Sequence, residues 1–279
     1  MTVGLTLGLC HTDVKKVLGQ RWDLPIHLLG RIVADPEIFS SRYNKWMADE
    51  RSALFSKLVF TNTIPTVVKG TLPKLSSWLE QGIVKKLTDQ RRQLCMSYAA
   101  ETKHKIFYSR KVGYFLQVLD FEPRVLDGKG NRRPPSEFKE LRFANEDQAQ
   151  LALCCLNSNL FYWFVTVFSD CRHLNKREVD AFPIDILALS NSEEKTNLLR
   201  LASQLMLDLQ EHSESRTMRF RHDTLTVQCI YPKASKAIID KVDEALAAHY
   251  GFSAEELDFI VNYDIKYRLG RSTENETDD

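Results

Sequence analysis

Nineteen consecutive residues, Leu151 to Ser169 (LALCCLNSNLFYWFVTVFS), carry no charge. A helix of that length is long enough to cross a bilayer. Its middle argues otherwise, because Asn157, Ser158 and Asn159 are adjacent there and polar groups at a membrane centre are costly. The segment is expected to be a buried core helix broken at the Asn-Ser-Asn. A chain of 279 residues can enclose such a helix, since a protein of that size removes roughly 75% of its unfolded surface from water.

The flanking sequence supplies elements to do so. Leu75, Trp78, Leu79, Ile83 and Leu87 fall on one helical stripe, which predicts a helix over 73–90 with Lys85, Lys86, Arg91 and Arg92 off the stripe or beyond it. Residues 103–110 (KHKIFYSR) and 113–122 (GYFLQVLDFE) are rich in aromatic and β-branched residues and read as two strands around a short turn. DGKGNRRPPS (127–136) reads as an exposed loop, and 138–143 as a further strand. Asn145 and Gln148 have capping-box spacing and open the apolar helix 146–168. Asn175 and Glu178 repeat that spacing and open a short helix that stops before Pro183, followed by FPID as a strand or turn. A helix is expected over 193–212, with Leu198, Leu201, Ala202, Leu205 and Leu209 as its stripe. Pro232 is expected to start another running to His249, with Gly251 as a left-handed stop. Ser253 and Glu256 cap a last helix over 254–261. Upstream, 43–60 reads as an approach loop, a short helix and a strand, whereas 1–34 shows no clean periodicity and lacks the marks of a secretory signal.

A hydrophobic content of 43% and a charged content of 27% exclude disordered, collagen-like and fully membrane-embedded chains. The net charge is only +1, and the stretch from Glu255 to Asp279 holds eight acids against Lys266, Arg268 and Arg271. A nucleic-acid surface must therefore be local. The six cysteines form no C-x-x-C and read as reduced thiols, which points to the cytoplasm. Cys154, Cys155, Cys171 and His173 fit no common zinc framework.

Phosphate-loop, nucleophile-elbow and H-E-x-x-H motifs are absent. Asp127, Glu137 and Lys139 have the composition of a metal-dependent nuclease centre, which leaves that chemistry as an alternative. Basic clustering is more marked. Lys103, His104, Lys105, Arg110 and Lys111 occupy nine positions without an acid and interleave with Ile106, Phe107 and Tyr108. Arg132 and Arg133 follow in the loop, and Arg172, His173, Asn175, Lys176 and Arg177 form a third group. Lys and Arg on strand edges and loops suit phosphate contacts, while Arg and Asn can also read guanine and adenine edges.

Three segments carry a family resemblance. They are HKIFYSRKVGYFLQVLDFEP (104–123), FKELRFANEDQAQLALCCLNSNLFYWFVTVFSDCRHLNKREVDAFPIDI (138–186) and ELDFIVNYDIKYRLGR (256–271). Together they resemble the C-terminal target-recognition region of adenine-specific DNA methyltransferases of the type II and IIG restriction–modification enzymes. RYNKWMADERSALFSKLVF (42–60) is similar to the junction at which that family's catalytic domain ends, so the resemblance covers about residues 35–271. The family's Gly-rich cofactor motif and Asn-Pro-Pro-aromatic motif, which serve S-adenosylmethionine and the flipped adenine, have no counterpart in this sequence.

The resemblance implies a DNA sequence-recognition part that is not catalytic by itself, either separately encoded or a piece of a larger enzyme. Duplex DNA is its expected partner, together with a methyltransferase domain or separate chain that holds the cofactor; no cofactor, metal or membrane is expected here. A truncated remnant acting only in protein association is the other alternative. The fold class is expected to be α+β, a mixed or antiparallel sheet with packed helices and a helical C-terminal part. The expected divisions are a junction over 1–60, recognition over 61–190, a helical region over 191–271 and a disordered tail over 272–279. DNA contacts are expected from Lys103, His104, Lys105, Arg110, Lys111, Arg132, Arg133, Arg172, His173, Asn175, Lys176 and Arg177.

Overall fold

A computed structural model describes residues 31–33, 59–61, 67–68, 75, 77–169, 173–220 and 223–269. Strands β1 (Arg31–Val33) and β2 (Val59–Thr61) pair antiparallel, with Ile32 opposite Phe60. Helix α1 (Trp78–Asp89) and a 3-10 turn (Leu94–Ser97) precede five short strands: β3 (Lys105–Ser109), β4 (Val118–Leu119), β5 (Val125–Leu126), β6 (Arg132–Arg133) and β7 (Phe138–Arg142). Helices α2 (Glu146–Asn157), α3 (Asn159–Phe168), α4 (Lys176–Asp180), α5 (Ile186–Ser190) and α6 (Lys195–Glu211) follow. The hairpin β8 (Ser213–Arg219) and β9 (Thr224–Ile230) comes next, then α7 (Lys236–Tyr250), α8 (Ala254–Asn262) and α9 (Ile265–Arg268). The larger sheets have the orders β4-β3-β7 and β6-β5-β9-β8, and every ladder is antiparallel. The fold is α+β.

The core is built around the uncharged segment, and all of Leu151–Ser169 is buried. It bends by 63° between α2 and α3, and the three polar residues at the bend each have structural work. Asn157 treats β4 as a neighbouring strand: its side chain accepts from the Val118 amide (3.0 Å) and donates to the Val118 carbonyl (2.8 Å). Ser158 is extended (φ −67°, ψ 156°), which ends α2, and its hydroxyl accepts from the Phe161 amide to begin α3. Asn159 donates from backbone and side chain to the buried Asp243 of α7. Buried polar groups are tolerated when hydrogen-bonded, and among these only the Asn159 Oδ1 has no partner among the described residues. Among the described residues no single helix is long and apolar enough to cross a membrane.

One hydrophobic cluster extends from Val68 to Tyr263, so the division expected at residue 190 falls inside a continuous core. The C-terminal part is helical as expected, except that β8 and β9 interrupt it and join β5 and β6. The strand expected over 113–122 shrinks to β4, because the chain leaves the sheet on either side of Val118–Leu119. The loop expected over 127–136 is a hairpin instead: Asp127 accepts from the Lys129 and Asn131 amides, and Arg132 and Arg133 pair with Leu126 and Val125. Trp78, placed on the buried stripe from spacing alone, opens α1 with 86% of its surface exposed. Pro232 lies in a turn, and α7 starts only at Lys236. The box at Asn145 forms only its forward half, Asn145 accepting from the Gln148 amide. Gly251 is left-handed (φ 67°) and Ser253 forms a full box with Glu256, as their positions predict. The expected tail over 272–279 lies outside the described residues.

Candidate nucleic-acid interface

The candidate site lies where β3 runs out of its sheet. Ile106 and Tyr108 enter the core, and the strand is clamped by β4 on one side and β7 on the other. Past Ser109 the chain gains a different neighbour. The Arg110 amide donates to the Glu137 carbonyl (2.8 Å), and the Arg110 carbonyl accepts from the Leu174 amide (2.8 Å). Lys111 and His173 then form an isolated antiparallel bridge. Two basic segments more than sixty residues apart in the chain are thereby laid edge to edge.

The second of these segments is anchored from behind. Leu174 and Val179 are buried, and Phe182 packs edge-on against Phe161 (4.9 Å) and Phe164 (5.2 Å) of α3. The core helix thus fixes the position of the basic turn, which links the buried segment to the surface. At α4 the capping box is held chiefly by its Glu178 half, whose carboxylate accepts from the Asn175 amide (3.0 Å). The Asn175 side-chain amide donates to the His173 carbonyl (3.3 Å).

A surface hollow of about 400 Å³ lies between the segments, lined by Tyr108, Arg110, Lys139, Glu140, Asn175 and Lys176. Glu140 is occupied by Arg142 (2.6 Å) and Lys105 (3.6 Å), and these cations hold its carboxyl below the usual carboxylate range. Arg110, Lys111 and Lys139 make no ion pair among the described residues. Lys176 chelates Asp180 through both carboxylate oxygens (2.8 Å each) and lies over the Tyr98 ring (4.8 Å). Burial, helped by the nearby Asp180, raises the Tyr108 phenol to about 12 and pushes Tyr98 further in the same direction, so both rings are neutral at any ordinary pH.

Arg110, Lys111, His173, Asn175 and Lys176 are therefore brought together. The other expected contacts are placed elsewhere or engaged. His104 pairs with Glu146 at the start of α2 (2.9 Å), and Lys103 is exposed just before β3. Lys105 lies over the Phe107 ring as well as near Glu140. Arg177 holds the buried Glu178 through two nitrogens (2.9 and 2.6 Å), a structural commitment. Arg132 and Arg133 sit on the other sheet, where they pair with Glu122 (3.7 Å) and Asp223 (2.7 Å). Arg133 and Lys111 nonetheless both line a cleft of about 840 Å³ between the two sheets, walled by Phe115, Phe138, Phe220 and Leu225. Arg172 and Cys171 lie outside the described residues.

Lys139 joins the hollow although its sequence reading attached it to nuclease chemistry. The signal was available in the register, since Lys139 stands opposite Tyr108, but register is not legible before strand pairing is known. Asp127 accepts three hydrogen bonds within its own hairpin, which keep its carboxyl below the usual range. Among the described residues no three His, Cys, Asp or Glu side chains gather around a possible cation position. Cys154 and Cys155 are core thiols raised by burial, Cys154 to about 12, with the Cys154 thiol donating to the Leu198 carbonyl. Comparison of the chain with protein-family models, with curated proteins and with solved structures finds no match.

Proposed function

We propose that this chain recognises DNA for an adenine-specific methyltransferase of a restriction–modification system, without catalysing the transfer itself. The observation that carries the reading is the pairing of the 105–111 segment with the 173–177 segment, through the Lys111–His173 bridge and the Leu174–Arg110 hydrogen bond. Arg110, Lys111 and Lys139 form a cationic edge on a chain of almost zero net charge, which suits phosphate contact. His173 and Asn175 stand beside that edge with groups able to meet base edges. In this reading a catalytic domain or a separate chain holds S-adenosylmethionine and the target adenine, and the protein works on DNA in the cytoplasm.

The test is binding of a fluorescent duplex as a function of salt. With four to six phosphates contacted, log K is expected to fall against log salt with a slope of about −4 to −5. Affinity that does not respond to salt contradicts the proposal.

A further inference from the structure

The sheet β6-β5-β9-β8 has two unlike faces. Its registers put Val125, Leu225, Val227, Met218 and Arg133 on the side that walls the cleft. The opposite side carries Ser213, Ser215, Thr217 and Arg219 of β8, Thr224, Thr226 and Gln228 of β9, and Arg132 of β6, with Leu126 between Arg132 and Thr226 and the buried Ile230 at its inner end. Arg124 continues this side, because its carbonyl accepts from the Gln228 amide and its own amide donates to the Gln228 side chain (3.1 Å). No Asp or Glu occupies a register position on that side.

Two hydrogen bonds order the polar side chains of this face. Thr217 and Thr226 share a hydrogen bond across the hairpin (3.2 Å), and Gln228 donates to the Ser213 hydroxyl (3.0 Å). A hollow of about 240 Å³ opens among Arg124, Ser213, Glu214, Ser215 and Gln228. Glu214 at its margin is paired with Arg216 and accepts from the Tyr231 hydroxyl (2.5 Å). Arg124 and Arg219 are exposed and make no ion pair among the described residues, while Arg132 pairs with Glu122 (3.7 Å).

We propose that this outer face reads duplex DNA, with the β8–β9 ribbon entering the major groove and Arg124, Arg132 and Arg219 meeting phosphates on its flanks. A two-stranded ribbon is a shape that the major groove admits. Hydroxyl and amide groups can donate to and accept from base edges, and threonine methyls can meet thymine methyls. Charge selects the occupant: Arg124 and Arg219, free of ion pairs among the described residues, and Arg132, paired only with Glu122 (3.7 Å), fit a polyanion, and an A-form RNA duplex closes its major groove to such a ribbon. The inference rests on the reading that the chain binds DNA, but it assigns base recognition to a surface outside the hollow at Arg110.

The experiment uses the whole chain. Bound sequences are selected from a random duplex pool for the native protein, for Thr217→Val with Thr226→Val, and for Arg124→Ala with Arg219→Ala. The valine pair keeps strand-forming side chains and is expected to leave affinity for unselected duplex within twofold while changing or erasing the selected sequence. The alanine pair is expected to weaken all duplexes alike and to reduce the salt slope by about 2. As a second measurement, a photoreactive group on Ser215→Cys is expected to attach to duplex DNA and not to duplex RNA. Unchanged selection by the valine pair and an unchanged slope for the alanine pair overturn the inference alone if the native protein binds DNA. Absence of any salt-dependent duplex binding by the native protein overturns both readings.

Discussion

Asp243 on α7 caps the first turn of α3, its carboxylate accepting from the Asn159 amide (2.8 Å), the Asn159 side chain (2.7 Å) and the Leu160 amide (2.9 Å). A helix begins with unsatisfied amides, and α3 begins inside the core where no water can serve them. The C-terminal helix thereby completes a helix that starts more than eighty residues earlier. Asp243→Ala is expected to destabilise the fold by about 3 kcal/mol, because two or more buried donors lose their acceptor. Chemical denaturation checks this; a loss under about 1 kcal/mol contradicts the assigned role.

The same contact gives a pH dependence. Burial raises the Asp243 carboxyl from its ordinary 3.8 to about 7, outweighing the hydrogen bonds from Leu160 and Asn159 that lower it. The folded state then holds a proton that the unfolded state releases. This group's contribution is fully present below about pH 4 and is lost as pH rises toward about 7. The Asp243→Asn variant is expected to show a flatter stability profile between these limits, and denaturation midpoints across that range test it. An identical profile in the two proteins contradicts the assignment.

Asn157 joins the core helix to the sheet, through Val118 on one side and the Leu153 carbonyl on its own helix (3.0 Å). Asn157→Leu keeps the branching at Cγ, with somewhat greater bulk, yet leaves both polar groups of Val118 without this partner. It is expected to cost about 2–4 kcal/mol and to increase amide exchange at Val118. Hydrogen exchange at that residue separates local loss from global loss.

At the basic turn, the structure ranks Glu178 above Asn175. Glu178 is fully buried and holds both Arg177 and the Asn175 amide, whereas the Asn175 side chain adds its weaker half of the box and an exposed bond of 3.3 Å. Thermal melts are expected to show a loss of about 2 kcal/mol or more for Glu178→Ala and under about 1 kcal/mol for Asn175→Ala. Arg177→Ala should lower stability more than it lowers DNA affinity. The reverse order for Glu178 and Asn175 contradicts the geometry.

Much of this architecture is legible in the chain because its signals are local. The Asn-Ser-Asn break, the boxes at Ser253 and Asn175, and the Gly251 stop each depend on residues a few positions apart. The β8–β9 hairpin was not foreseen, since β8 (SESRTMR) is exposed along almost its whole length and shows no apolar alternation. Trp78 misled because helical spacing identifies a face but cannot say where the covering core ends. At the interface the basic residues are visible in sequence, but their partners are not. Glu178 claims Arg177, Glu146 meets His104, and Asp223 meets Arg133, so charge clusters overstate the cations left for a ligand.

The most direct test of the DNA-binding account is duplex affinity after charge reversal at the joined segments. Arg110→Glu with Lys111→Glu is compared with Lys85→Glu plus Lys241→Glu, which places the same charge change on exposed positions of α1 and α7. The account predicts at least about tenfold weaker binding at low salt for the first pair, equal for all sequences, with the salt slope reduced by about 2. The second pair should bind much as the native protein does. Equal losses in both pairs, or none in the first, would contradict the assignment of DNA binding to this edge.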